Sequence, residues 1–133
     1  VALYPSGLAA ITGALLAVLK AGDEVLVADS IYRPSRRFCD NTLVRFGITT
    51  RYYDTRLSAD AVIALATPST RLILLESPGS LTMDMQDVPA LARAAKPCAA
   101  EHSCHALWCK PRTRHTARCA LKVRGVAGLA PRF

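Results

Sequence analysis

The sequence predicts an α/β domain with parallel strands, and three observations carry that prediction. Short runs rich in branched and apolar residues alternate with segments of helical periodicity. Gly, Pro, Asp and Ser punctuate the connections. The most apolar run, "LILL" at 72–75, has no polar interruption, as a strand covered on both faces requires. In order, "GLAAITGALLAVL" from Gly7 to Leu19 reads as a helix that Ser6 can cap. It falls short of the roughly 20 residues that span a bilayer, and Lys20, Asp23 and Glu24 close it, so a buried helix is expected and no membrane association. "EVLVA" from Glu24 is the first strand. "PSRRFCDNTLVRF", Pro34 to Phe46, sets Phe38, Leu43 and Phe46 on a broad helical stripe with Gly47 as the stop, and Ile48 to Asp54 is the second strand. Ser58 caps a helix over "ADAVIALA", and Thr70 to Glu76 is the third strand. The fourth helix starts near Asp87, where an acid and then a Pro suit the unpaired amides of a first turn.

Charge divides the chain where this alternation stops. Residues 1–95 hold nine Lys or Arg against nine Asp or Glu, whereas residues 96–133 hold eight basic residues against the single acid Glu101, so the formal charge of +7 belongs to the tail. At 133 residues the chain is one ordinary domain in size, and 51% hydrophobic content is globular. Five cysteines, an odd number, with no amino-terminal apolar leader pattern, argue against a secreted disulfide scaffold and for a reducing, cytoplasmic setting. The expected division is a folded body over 1–95 and a basic, Cys/His-rich, poorly structured tail over 96–133. No strand is expected after the fourth helix, because "CHALWC" is the only apolar run within residues 96–119 and His105, Lys110 and Pro111 interrupt or flank it.

The tail suggests two activities of its own. Cys104, Cys109, His115 and Cys119, with Cys98, His102 and His105 as alternatives, are soft ligands of the kind that surround zinc. Their intervals all differ from those of a zinc knuckle and no glycine lies between them, so no metal site is expected. Trp108 beside Lys110, Arg112, Arg114 and Arg118 matches a loose recipe for single-stranded nucleic acid, in which an aromatic stacks and cations follow phosphates. A lone tryptophan beside a charge run more commonly marks a basic tail, so nucleic acid is not an expected partner.

In the body, Ser6 and Gly7 stand before a long helix, where free amides and the positive end of the backbone dipoles hold phosphates, although Ser-Gly is also an ordinary cap. Tyr32 lies just past the carboxyl end of the first strand, the edge at which open α/β sheets take ligands; packing of a crossover loop is the plainer role. "ESPGS" from Glu76 follows the third strand and serves equally as a shaped turn. Taken in order, "LYPSGLAAITGALLAVLKAGDEVLVADSIYRPSRRFCDNTLVRFGITTRYYD" and "TRLILLESPGSLTMDMQDVPALARAA" resemble the cystathionine β-lyase branch of the pyridoxal-phosphate-dependent Cys/Met metabolism enzymes.

That resemblance covers about residues 1–95. It implies part of a three-layer, aspartate-aminotransferase-like large domain (PLP fold type I), pyridoxal 5'-phosphate as cofactor, L-cystathionine or a related sulfur amino acid as substrate, β-elimination at a carbon-sulfur bond, and a homotetramer. Transferred to this numbering, Ser6, Gly7 and Leu8 correspond to the phosphate grip, Tyr32 to the ring that stacks on the cofactor, and Glu76 and Ser77 to the strand end beneath it. The family's pyridine-binding Asp, in an Asp-Asn-Thr-Trp-like strand end, and its Schiff-base Lys, in a Thr-Lys-Tyr-like stretch, have no counterpart after residue 95, and residues 96–133 contain no Asp. No catalytic residue is therefore assigned, and the expectation is a lyase fragment inactive on its own.

Overall fold

The computed structural model describes residues 4–80, 82–102 and 105–109; over 96–109 the description is of the backbone. Helix α1, Gly7–Val18, begins at Ser6, whose Oγ accepts from the Ala9 N–H at 3.1 Å. Strand β1, Glu24–Ala28, is buried along its whole length. Helix α2, Arg33–Phe38, runs on through a π turn, Cys39–Leu43, and a 3-10 turn, Val44–Phe46, to Gly47. Gly47 stops the segment with φ +71°, a left-handed conformation that costs a glycine little. The single helix expected over Pro34 to Phe46 is thus wound at three pitches, and of its expected stripe Phe38 and Leu43 pack on the core with Cys39, whereas Phe46 is turned out to 54% exposure by the final 3-10 turn. Strand β2, Thr49–Tyr53, helix α3, Ala59–Ala64, and strand β3, Thr70–Glu76, follow. Ser58 caps α3 through the Ala61 N–H at 3.2 Å. Helix α4, Val88–His102, starts where Asp87 Oδ1 accepts from the Ala90 N–H at 2.9 Å.

Strand β4, His105–Cys109, then pairs in parallel with β3, from Leu72 opposite His105 to Glu76 opposite Cys109. This corrects the expectation that no strand follows the fourth helix. Helix α4 also runs without a break through Lys96, where the charge balance changes. The backbone of "HALWC" completes a crossover from β3, and the hydrogen bonds of a ladder need no particular side chains. Residues 110–133 lie outside the described residues, as does the tail expectation that falls on them.

The sheet order is β2-β1-β3-β4, all parallel. Alternation along the strands divides the core in two. Val25, Val27, Leu72 and Leu74 face Ile11, Leu15 and Leu19 of α1 and its exit, together with Cys39 and Leu43. Leu26, Ala28, Ile73 and Leu75 face Val62 of α3 and Leu91 and Ala95 of α4. Each fully buried Leu or Val here contributes about 1.5–3 kcal/mol of transfer free energy. The result is the expected three-layer arrangement. At the amino edge, Glu24 Oε1 accepts from Arg51 Nη2 at 2.9 Å, from Thr67 Oγ1 at 3.2 Å and from Thr70 Oγ1. No helix among the described residues is long and apolar enough to cross a membrane.

Candidate functional site

Parallel strands end at one edge, so the residues that follow β1, β2 and β3 gather there whatever their separation in sequence. Helix α1 reaches the start of β1 through a short turn and runs against it, which returns its N-terminus to the same edge. Tyr32 and Glu76, 44 residues apart, meet directly: the Tyr32 backbone N–H donates to Glu76 Oε2 at 2.8 Å. The Tyr32 residue itself is 46% exposed, so its backbone is anchored while its ring stays open to a ligand. Glu76 is 5% exposed. Burial pushes its carboxyl above the ordinary carboxylate range, and the Tyr32 N–H pulls the other way.

Gln86, which sequence reasoning missed, locks this strand end. Its Nε2 donates to the Glu76 carbonyl at 3.0 Å, its Oε1 accepts from the Tyr53 hydroxyl at 2.8 Å, and its backbone N–H donates to Ser77 Oγ at 3.0 Å. Ser77, expected beside the cofactor, therefore has its hydroxyl engaged by the loop that follows. Burial raises the Tyr53 phenol above its ordinary range, which keeps it a neutral donor to Gln86. The Ser77-Pro78 bond is cis, and Gly79 closes the turn: its N–H donates to the Asp84 carbonyl and the Ser80 N–H to the Ser30 carbonyl, both at 2.9 Å.

At the start of α1, Ser6 is exposed and used as a cap, and a Cβ built on Gly7 would meet nothing within 4 Å. The Gly7 and Leu8 amides, in the first turn of a 12-residue helix, have no helical carbonyl to bond and are free for an anion. A phosphate and one face of a flat ring thus find fitting groups in the Gly7 and Leu8 amides and the Tyr32 ring. The residue in register with Glu76 on the neighbouring strand is Cys109.

A second feature at this edge also escaped sequence reasoning, because its members are ordinary loop residues spread over 56 positions. A cleft of about 350 Å³ lies between the residues after β1, those after β2 and the loop at 82–84. Arg56 pairs with Asp54, Nη2 to Oδ2 at 2.5 Å and Nε to Oδ1 at 2.9 Å, and this guanidinium holds the exposed Asp54 carboxyl down at about 2. Asp84 Oδ2 accepts from Thr55 Oγ1 at 3.1 Å and from Thr82 Oγ1 at 2.5 Å. Elsewhere, Cys39 is a buried thiol pushed up to about 11 by burial and by Asp40, which makes it a packing residue with no nucleophilic character. Among the described residues no group of His, Cys, Asp and Glu could hold a metal ion. The zinc ligands considered in the tail have side chains outside the description.

An open parallel sheet with helices on both faces, a helix N-terminus before the first strand and a tyrosine anchored past that strand's carboxyl end is the large-domain architecture of PLP fold type I. Comparison with known proteins carries this further. The chain belongs to the family of Cys/Met metabolism PLP-dependent enzymes, whose sequence model matches residues 1–112. It is 43% identical over 94 residues to cystathionine beta-lyase MetC of Escherichia coli strain K12, covering 71% of this chain and 24% of that protein. It is 46% identical over 94 residues to the cystathionine beta-lyase of Bordetella avium, covering 71% and 23%. Among solved structures, cystathionine gamma-lyase from Lactobacillus plantarum complexed with L-serine superposes with a TM-score of 0.69 at 32% identity, over 79% of this chain and 26% of that one. The chain spans about a quarter of the length of these relatives.

Proposed function

We propose that this chain is part of the cofactor domain of a cystathionine β-lyase-like enzyme, acting in the family on L-cystathionine or a related sulfur amino acid, and that on its own it does not turn over. The identities of 43% and 46% to two β-lyases, against 32% to a solved γ-lyase, support the choice of branch. In this reading residues 1–95 form the body, and residues 96–133 are a basic segment whose first part continues α4 and enters the sheet as β4. Assembly as a homotetramer and a cytoplasmic setting belong to the same proposal.

The residues that would hold pyridoxal 5'-phosphate are Gly7 and Leu8, through their amides, with Ser6 adding a hydroxyl, and Tyr32, through its ring. Glu76 and Ser77 lie beneath, as supports. When bound, the cofactor supplies the electron sink for carbon-sulfur cleavage. Glu76 fixes where the Tyr32 ring stands by holding its backbone amide, and Gln86 fixes Glu76 and Ser77 in turn. A base at the α-carbon and an acid at the pyridine nitrogen are both required by such chemistry. The observation that carries the inactivity is that β4 ends in Cys109 beside Glu76 and that residues 96–133 contain no Asp.

Purified chain incubated with pyridoxal phosphate and cystathionine should release pyruvate no faster than cofactor free in solution, and borohydride should trap no stoichiometric adduct on one lysine. Turnover well above that background, abolished by changing Lys20, Lys96, Lys110 or Lys122 to Ala, would overturn the reading.

A further inference from the structure

We propose that the cleft along α2 is a binding site for a small phosphomonoester. Its volume is about 490 Å³, and Arg33, Pro34, Arg36, Arg37, Asp40 and Asn41 line it. Arg33, Arg36 and Arg37 stand at i, i+3 and i+4, which puts three guanidinium groups on one helix face. Like charges at that spacing repel and weaken a helix, and a bound anion among them removes the cost. Overall basicity does not account for the cluster, because residues 1–95 hold as many acids as bases.

The partners of these arginines set them apart. Elsewhere in the body Arg51 lies 2.9 Å from Glu24, Arg56 2.5 Å from Asp54 and Arg71 3.5 Å from Asp23. Arg33 and Arg37 are exposed and have no ion pair among the described residues. Arg36 is fixed without being neutralised: its Nη1 donates to the Asp29 carbonyl at 2.9 Å, and its guanidinium carbon lies 3.8 Å from the centre of the Tyr52 ring. A guanidinium held by a neutral carbonyl and an aromatic face keeps its full charge and its other N–H groups. Asp40 is the one acid of the cleft, and its Oδ1 accepts from the Tyr52 hydroxyl at 2.6 Å. Tyr52 thus fixes both the central cation and the acid. Asp40 and Asn41 belong to the π turn, an interruption that helices carry frequently at functional sites, and Asn41 adds an amide donor.

Charge and shape select the ligand. Three guanidinium groups against one carboxylate leave a surplus of two positive charges. A phosphomonoester brings close to two negative charges and three acceptor oxygens, whereas a carboxylate brings one charge and two oxygens. Arginine forks match phosphate in pairs of hydrogen bonds. The volume falls within the range of small-molecule pockets, about 300–1,000 Å³, so an organic remainder fits beside the phosphate. None of the groups assigned to the cofactor, Gly7, Leu8 and Tyr32, lines this cleft, and the site does not rest on that assignment.

Amide spectra of the 15N-labelled full chain test the site, with inorganic phosphate, dimethyl phosphate and acetate titrated separately at constant ionic strength. At about pH 7.5 inorganic phosphate is mostly a dianion, since its second ionisation lies near pH 6, while the other two carry one charge each. Inorganic phosphate should give a saturable shift between Arg33 and Asn41, tighter than either monoanion. The double variant Arg33→Gln, Arg37→Gln should weaken it at least about tenfold, as for loss of charge-assisted hydrogen bonds. Both side chains are exposed, so their replacement leaves packing intact. A phosphate response confined to the Gly7 and Leu8 amides would support the cofactor grip and overturn this site. Silence between Arg33 and Asn41, equal binding of acetate or dimethyl phosphate, or unchanged affinity in the double variant would overturn it as well.

Discussion

Replacing Gly79 by Ala should destabilise the domain through one identifiable collision. The new Cβ would stand 2.6 Å from Ser30 Oγ and 2.8 Å from Ser30 Cβ. Rotating Ser30 could relieve the first contact but not the second, because a Cβ moves only with its backbone. That backbone is held: the Ser30 carbonyl accepts from Ser80, and the Gly79 N–H is tied to the Asp84 carbonyl. Ser30 is also 8% exposed, with little room to retreat. Forced displacement of this kind costs about 1–3 kcal/mol, which for a chain of this size lowers Tm by roughly 3–10 °C. Thermal unfolding followed by circular dichroism at fixed pH measures it. The informative control adds Ser30→Gly to Gly79→Ala, removing both colliding atoms, and should recover most of the loss. A Tm for Gly79→Ala within about 1 °C of the parent, or a double variant no more stable than the single, would show that the turn is not packed as described.

Two further outcomes follow from β3 and its neighbour. Because burial is the leading influence on Glu76, its folded pKa lies above the ordinary carboxyl value; its contribution to stability is complete below that ordinary value and is lost as pH rises through the folded one. Urea midpoints should therefore shift in favour of Glu76→Gln, relative to the parent, between about pH 4 and pH 7, and a shift toward the parent would show that the Tyr32 hydrogen bond outweighs desolvation. Hydrogen exchange should find slowed amides within His105–Cys109, confined to the alternate residues whose N–H groups face β3; rapid exchange throughout 105–109 in the parent would exclude the fourth strand.

Much of this architecture was legible because local signals agree with the fold. Strands β1 and β3 begin and end where the apolar runs do, and Ser6, Ser58 and Asp87 cap the helices they precede. Strand β4 was illegible because its reason for existing lies outside its own residues: β3 offers an apolar strand with a free ladder, and α4 returns the chain to it. Tyr32 and Glu76 could be placed at one edge from sequence, but the bond between them required the register of β1 on β3. Gln86 and the Asp29–Asp84 cleft left no signal, since a glutamine or aspartate in a polar loop looks the same whether or not it bridges strand ends.

The amino edge of the sheet has a consequence for how the strands find their alignment. A strand with one solvent face is steered into register by its own pattern, because a slip by one residue would expose its apolar side. Strand β1 receives no such steering: Val25 and Val27 on one side and Leu26 and Ala28 on the other are all buried, so a slipped strand would still present hydrocarbon to both cores. Glu24 breaks that symmetry. Its carboxylate meets Arg51 from β2, Thr70 from the start of β3 and Thr67 from the turn before it, and only one alignment brings all of them to one oxygen. Beside so many interchangeable aliphatic side chains, a single acidic residue is the alignment mark against which three strands are set.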